Sequence, residues 1–231
     1  MMVDFCEKHE TLIAIFLIVI YLVSNSLGLQ KFSLYDYQMV VVNLILMIFI
    51  MGIILKSKRI TYYGLNTFPK PKKYLYFIPL ILLVSVNLWE GINVDKSINE
   101  ISIYVLSMCF IGFLEEIIFR GFLFKMMQKD NEKTAIIVTS ITFGIGHIIN
   151  LLNGAELIST LIQIVNAITI GYLFVILFIK TKSLWPAIIT HATLNALSVF
   201  GGESFTNFNY ITAIFITILS ILYAEYIRRK N

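Results

Sequence analysis

Apolar stretches long enough to cross a lipid bilayer follow one another along this 231-residue chain, with only short polar breaks between them. A hydrocarbon core of about 30 Å takes roughly 20 helical residues to cross. The composition agrees, because 58% of the residues are hydrophobic and 14% are charged, against about 25% charged in soluble domains. We therefore expect a multi-pass membrane protein whose residues 1–231 form a single transmembrane domain.

The apolar stretches predict helices, since none shows the alternation of a membrane β-barrel and main-chain polar groups in lipid must be satisfied within their own segment. The predicted fold class is all-α, a polytopic membrane helix bundle with about eight transmembrane helices. The eight stretches are Thr11–Leu29, Tyr37–Leu55, Tyr74–Trp89, Ile101–Met127, Lys133–Asn150, Leu157–Ile179, Leu184–Phe200 and Asn209–Ile227.

The basic residues predict how these helices are oriented, because cytoplasmic loops of membrane proteins carry an excess of lysine and arginine. All but three of the 18 basic residues fall in the tails and alternate breaks that an eight-span chain places on one side, among them the breaks at 56–73, 125–133 and 180–182. The exceptions are Lys31, Lys96 and Arg120. Both termini are thus predicted to be cytoplasmic, and the positive charge indicates membrane orientation and contact with the lipid bilayer, not nucleic-acid binding.

Two carboxylates and a guanidinium interrupt the fourth apolar stretch at Glu115, Glu116 and Arg120. A charge at the centre of a bilayer costs a few kcal/mol even on lenient insertion scales, so such groups usually face a bundle interior and serve a function. Glu116 and Arg120 are four residues apart and share a helix face, which predicts an ion pair between them. Glu115 points about 100° away and is left freer for chemistry.

Two of the three histidines also lie inside apolar stretches. His147 follows Phe143-Gly-Ile-Gly146 in the fifth stretch, and His191 stands four residues before Asn195 in the seventh. Water activation uses such groups: a carboxylate base, an imidazole that shares the proton, and an amide that stabilises an oxyanion. The same carboxylate and imidazoles, Glu115, His147 and His191, can also ligate a divalent metal such as zinc.

These residues form three ordered motifs on separate stretches, E-E-x-x-x-R at 115–120, F-x-x-x-H at 143–147 and H-x-x-x-N at 191–195. The set resembles the CPBP family, which comprises the type II CAAX prenyl endopeptidases and the bacteriocin-processing or Abi proteins, all intramembrane peptidases. The resemblance covers roughly residues 101–199 and marks them as the catalytic core.

The resemblance implies a membrane-embedded hydrolase that depends on a glutamate-activated or metal-bound water. Carried over residue by residue, Glu115 is the base, His147 shares its proton, and His191 and Asn195 stabilise the oxyanion, supported by the Glu116–Arg120 pair. Since the fourth stretch ends near Lys125 and the seventh begins past Lys182, Glu115 and His191 are expected near the cytoplasm, with a cavity that opens to that side.

The resemblance and the composition together predict the setting of the activity. The expected substrate is a peptide or protein tail held in the membrane, and the Ile-, Lys- and Asn-rich composition favours a bacterial cytoplasmic membrane. Two other functions stay open at this point: a non-catalytic immunity or scaffold protein of the bacteriocin self-immunity type, and a proton-coupled transporter. The substrate's identity and the oligomeric state do not follow from the sequence.

Overall fold

The computed structural model describes residues 8–66, 77–201 and 207–230. Three lysines of the long basic break, Lys70, Lys72 and Lys73, lie outside the described residues, as does the start of the third apolar stretch. All eight predicted stretches are helical over their described residues, and these residues contain no strand. The predicted all-α membrane fold is therefore confirmed.

Eight α-helices, α1 to α8, correspond to the eight stretches. Four continue in another helical form. These are α3 with a 3-10 turn at Val86–Leu88, α4 with a π-helix at Ile117–Phe124 and a short α-helical turn at Lys125–Met127, α5 with a 3-10 helix at His147–Asn153, and α7 with a 3-10 turn at Ser198–Phe200. In chain order the eight are α1 Glu10–Leu29, α2 Tyr37–Lys56, α3 Ile78–Ser85, α4 Ile98–Glu116, α5 Glu132–Gly146, α6 Leu157–Thr181, α7 Trp185–Leu197 and α8 Asn207–Arg229.

Six of these helices are long and apolar enough to cross a membrane, and the other two are shorter over their described residues. The helix Ile78–Leu88 and α7, with 13 residues, would rise only about 16 to 20 Å at 1.5 Å per residue. Both carry a proline in their first turn, where proline needs no hydrogen-bond acceptor and marks a helix start. The sequence thus located all eight helices, while six of them meet the length of a full span.

Local capping explains where two of the central helices begin. Ser97 and Glu100 form a capping box at the start of α4, in which each side chain accepts a hydrogen bond from the other residue's main-chain N–H. Asn131 accepts a hydrogen bond from the main-chain N–H of Thr134 at the start of α5. These polar starts fix the helices that carry the glutamates and His147.

The bundle has two chemically distinct ends. At one end, which we call the basic end, Glu10 forms two ion pairs. Its Oε1 lies 2.5 Å from Arg59 Nη1, and its Oε2 lies 2.6 Å from Lys129 Nζ. The hydrogen bond to Glu10 raises the pKa of Lys129 above its usual value. At the other end of the bundle, which we call the distal end, the hydroxyl of Ser26 donates a hydrogen bond to Asn153 Oδ1. The separation of the two ends agrees with the alternation of loops that the basic residues predicted, and which end faces the cytoplasm stays a prediction.

Candidate active site

Four ionisable side chains from α4, its π-helix and α7 meet in the middle of the bundle. Glu116 and Arg120 are fully buried, while Glu115 and His191 are exposed by 8% and 5%. π-Helical segments are rare and often mark functional sites, and this one begins directly after Glu116. The predicted pair is present, with Arg120 Nη1 3.1 Å from Glu116 Oε1.

His191 connects the two glutamates that follow one another in sequence. Its Nδ1 lies 2.8 Å from Glu116 Oε1, and its Nε2 lies 3.2 Å from Glu115 Oε2. Neutral imidazole donates a hydrogen bond from one nitrogen only, whereas the imidazolium donates from both. These two distances show that both carboxylates face the same imidazole, although adjacent side chains on an α-helix point about 100° apart.

Arg120 is held from three sides. Besides its pair with Glu116, the guanidinium lies 4.1 Å from the centre of the Phe143 ring, a distance suited to a cation–π contact. Gly171 of α6 makes room for it, because a Cβ there would come within 3.0 Å of Arg120 Nη2. The guanidinium thus fills the space behind the glutamates as a structural cation.

Tyr21 of α1 completes the cluster and was not found from the sequence. Its hydroxyl donates a hydrogen bond to Glu115 Oε1 at 2.6 Å, and the residue is buried. A tyrosine in an apolar stretch is not conspicuous in a chain with 12 tyrosines, and it lies outside the three motifs. Its central position in the stretch, away from the interfaces where aromatic residues gather, was the only available signal.

A cavity of about 580 Å³ lies beside this cluster. Glu115, His147, His191 and Asn195 all line it, whereas Glu116 and Arg120 stand behind it. His147 meets the edge of Phe143 with ring centres 5.5 Å apart. Within the described part of the chain, neither His147 nor Asn195 makes a side-chain hydrogen bond, so both can bind a molecule in the cavity.

The metal ligands considered from the sequence do not form a three-donor group here. Among the described residues, no three His, Cys, Asp or Glu side chains lie together in a way that could hold a metal ion. Both nitrogens of His191 face carboxylates, which leaves neither nitrogen of that ring turned toward a metal ion. In this arrangement the set Glu115, His147 and His191 does not fit a bound zinc ion.

The cavity runs from the cluster toward the distal end, and it is lined by side chains such as Leu34, Asn153 and Ser198. No described residue of the breaks at 57–66, 128–131 or 182–184 lines it. The expectation that it opens on the side of the basic loops is therefore wrong. Counting residues from Lys125 and Lys182 measured depth along single helices, whereas the residues that line the cavity come from the distal halves of several helices.

The fold and the cluster define a multi-pass helical membrane protein with a glutamate–histidine cavity inside the bundle. Residues 97–197 match the family model described as type II CAAX prenyl endopeptidase Rce1-like. The matched region runs from the cap of α4 to the end of α7 and contains all seven motif residues, so the match confirms the resemblance recognised from the motifs. The search among curated proteins found no match.

Proposed function

We propose that this protein is an intramembrane endopeptidase that hydrolyses peptide bonds of membrane-associated peptides or protein tails. The single observation that carries the proposal is the state of Glu115. One of its oxygens accepts the hydrogen bond from Tyr21, and the other, Oε2, lies 3.2 Å from His191 Nε2 but makes no hydrogen bond among the described residues. A carboxylate oriented by a tyrosine and a histidine beside a cavity, with one oxygen that makes no hydrogen bond, suits a base that takes a proton from water.

Hydrolysis then needs no covalent intermediate with the protein. Water attacks the carbonyl carbon of the substrate while Glu115 takes its proton, and the carbonyl oxygen becomes an oxyanion. When the C–N bond breaks, that proton passes to the leaving nitrogen, so that an acid and an amine result. Donors fixed around the oxyanion stabilise it, an effect worth about 3 to 4 kcal/mol for one donor in other hydrolases.

The contacts support roles for His191 and His147 that differ from those implied by the resemblance. His191 is already engaged by Glu115 and Glu116, which suits it to orienting Glu115. His147 and Asn195 line the cavity without hydrogen bonds to described residues, which suits them to the oxyanion and the leaving nitrogen. Glu116 and Arg120 hold His191 from behind.

A divalent metal stays a prediction to be tested separately, and no step above passes through one. We expect cleavage by the purified protein to persist in the presence of 1,10-phenanthroline. Activity that disappears with the chelator and returns with added zinc would contradict a scheme based on Glu115 alone. The residues would then have to rearrange to bring three donors together.

Mass spectrometry of membrane peptides tests the proposed function. Cells making the wild-type protein are compared with cells making Glu115→Gln, and Glu225→Gln, far from the cavity at the basic end, is the matched control. Peptides present with the wild type and the control but absent with Glu115→Gln are the expected result. Identical peptides in all three would argue against cleavage and favour the immunity or scaffold function. Proton flux into proteoliposomes would then distinguish a transporter from such a non-catalytic protein.

A further inference from the structure

Side-chain amides cover the distal part of the cavity. They come from α1, from the 3-10 helix after α5, from α6 and from α7, and we call them the amide wall. Of the eight side-chain amides among the described residues that line the cavity, the wall comprises Asn25, Asn150, Asn153, Gln163, Asn166 and Asn195, while Asn87 and Asn209 belong to other elements. None of the six is fully buried, and Gln163 is exposed, so the wall presents hydrogen-bonding groups to a molecule that enters the cavity.

The first layer of the wall stands one helical turn beyond the reacting groups. Asn25 follows Tyr21 by four residues on α1, and Asn195 follows His191 by four on α7. At 1.5 Å per residue, each amide lies about 6 Å further along its helix. Asn150 follows by three residues in a 3-10 helix, at about 2 Å per residue, and is also about 6 Å further. All three elements run toward the distal end.

Members of the wall keep groups free for a ligand. Asn25 donates to the main-chain oxygen of Tyr21 and retains its own oxygen, and Asn150 donates to Gln163. Asn153 and Asn166 accept from side chains and retain their amide hydrogens. Free side-chain amides thus offer donors and acceptors together, which are the two groups that an extended peptide needs to satisfy once it leaves water.

Spacing relates this layer to the scissile bond. An extended chain advances about 3.3 Å per residue, so 6 Å corresponds to about two residues. The second layer, represented by Asn153 three residues further along the 3-10 helix, lies about 12 Å away. A peptide bound along the cavity therefore meets amides at roughly every second residue.

Among the described residues that line the cavity, none is a lysine or an arginine that could pair with a carboxylate. Arg120 is fully buried behind the cavity and paired with Glu116. A free carboxyl terminus within three residues of the scissile bond would lie about 10 Å from it, without a lysine or arginine partner in the described part of the cavity.

We propose that the amide wall binds the main chain of an extended, interior segment of the substrate, and that a tail ending in a free carboxylate within the cavity is disfavoured. The inference deepens the proposed function by naming its substrate class. It concerns binding alone, and its test therefore uses protein that cannot turn the substrate over.

Glu115→Gln protein in detergent is titrated with a fluorescent, palmitoylated decapeptide of alanine, leucine and serine, made both as the free acid and as the carboxyl-terminal amide. Fluorescence anisotropy gives Kd for each form. The amide form is expected to bind at least about tenfold more tightly than the acid. Adding Gln163→Lys places a cation in the wall and is expected to reverse the preference.

Two further variants separate the wall from general polarity. Asn150→Leu is expected to weaken binding of the amide form by about three- to tenfold, the effect of losing one or two neutral hydrogen bonds. Asn43→Leu changes a buried amide of α2 outside the cavity and is expected to leave Kd unchanged. Equal or tighter binding of the free acid to the unmodified wall, or no binding of either form, overturns the inference. If the variant binds the peptide as expected but the wild-type protein does not cleave it, only the proposed hydrolysis is contradicted.

Discussion

At the scale of single residues, the hydroxyl of Tyr21 fixes the orientation of the proposed base. Tyr21→Phe removes the 2.6 Å hydrogen bond to Glu115 while keeping the ring and its packing. A hydrogen bond to a charged group is worth about 1.5 to 3 kcal/mol, so kcat is expected to fall by about 10- to 100-fold with little change in KM.

Tyr104→Phe is the matched control for this substitution, because Tyr104 also lines the cavity but bonds Ser198 instead of a carboxylate. Kinetics on a cleavable peptide, with melting temperatures measured alongside, give the comparison. Equal loss of kcat in both variants would mean that Tyr21 has no special relation to the base.

Arg120 supports the site from within the bundle. Arg120→Ala leaves Glu116 buried without its cation, and breaking a buried pair in this way typically costs about 3 to 5 kcal/mol. We expect little folded protein from Arg120→Ala and a partial yield from Arg120→Lys, which keeps the charge but not the planar group beside Phe143. Size-exclusion chromatography in detergent measures both yields, and a normal yield of the alanine variant would show that the pair is not essential to the fold.

At the scale of elements, the close approach of α4 and α7 sets the distance between the glutamates and His191. Gly112 permits it, since a Cβ there would lie 2.8 Å from the main-chain nitrogen of Ala192. Gly112→Ala must therefore push the two helices apart, and we expect a stability loss of about 1 to 3 kcal/mol together with a larger loss of activity. Gly52→Ala in α2, where the added Cβ meets no packed neighbour within 4 Å, should leave peptide cleavage unchanged and raise stability by about 0.5 to 1 kcal/mol in thermal unfolding.

At this scale, the sequence could predict the residues and helices that stand out because they are unusual for their surroundings. Charges and imidazoles inside apolar stretches are costly, so Glu115, Arg120 and His147 stood out, and hydropathy located all eight helices. The π-helix after Glu116 leaves no comparable pattern, because its residues other than Arg120 are as apolar as those of an ordinary span. Tyr21 was missed because a tyrosine carries no such cost, and the lengths of the two short helices depend on packing against neighbours.

At the scale of the whole molecule, the distribution of charge and the position of the cavity lead to one conclusion about access. The basic residues predict that both termini and the basic end face the cytoplasm. The cavity extends to the distal end instead. If both hold, water and substrate reach Glu115 from the non-cytoplasmic side, and the proposed peptidase is expected to cut exported peptides or the outward parts of membrane proteins.

Cysteine labelling tests this access in intact cells. With both native cysteines replaced, a single cysteine at Asn195, inside the cavity, is expected to react with a membrane-impermeant thiol reagent added outside. Lys31→Cys, in the exposed break at the distal end, serves as the positive control, and Lys129→Cys at the basic end should react only in inside-out vesicles. Labelling at Asn195 that follows Lys129 instead of Lys31 would place the cavity's opening on the cytoplasmic side. If Lys129→Cys itself reacts from outside, the predicted orientation is inverted, and the cavity must then face the cytoplasm, because it extends toward the end opposite to Lys129.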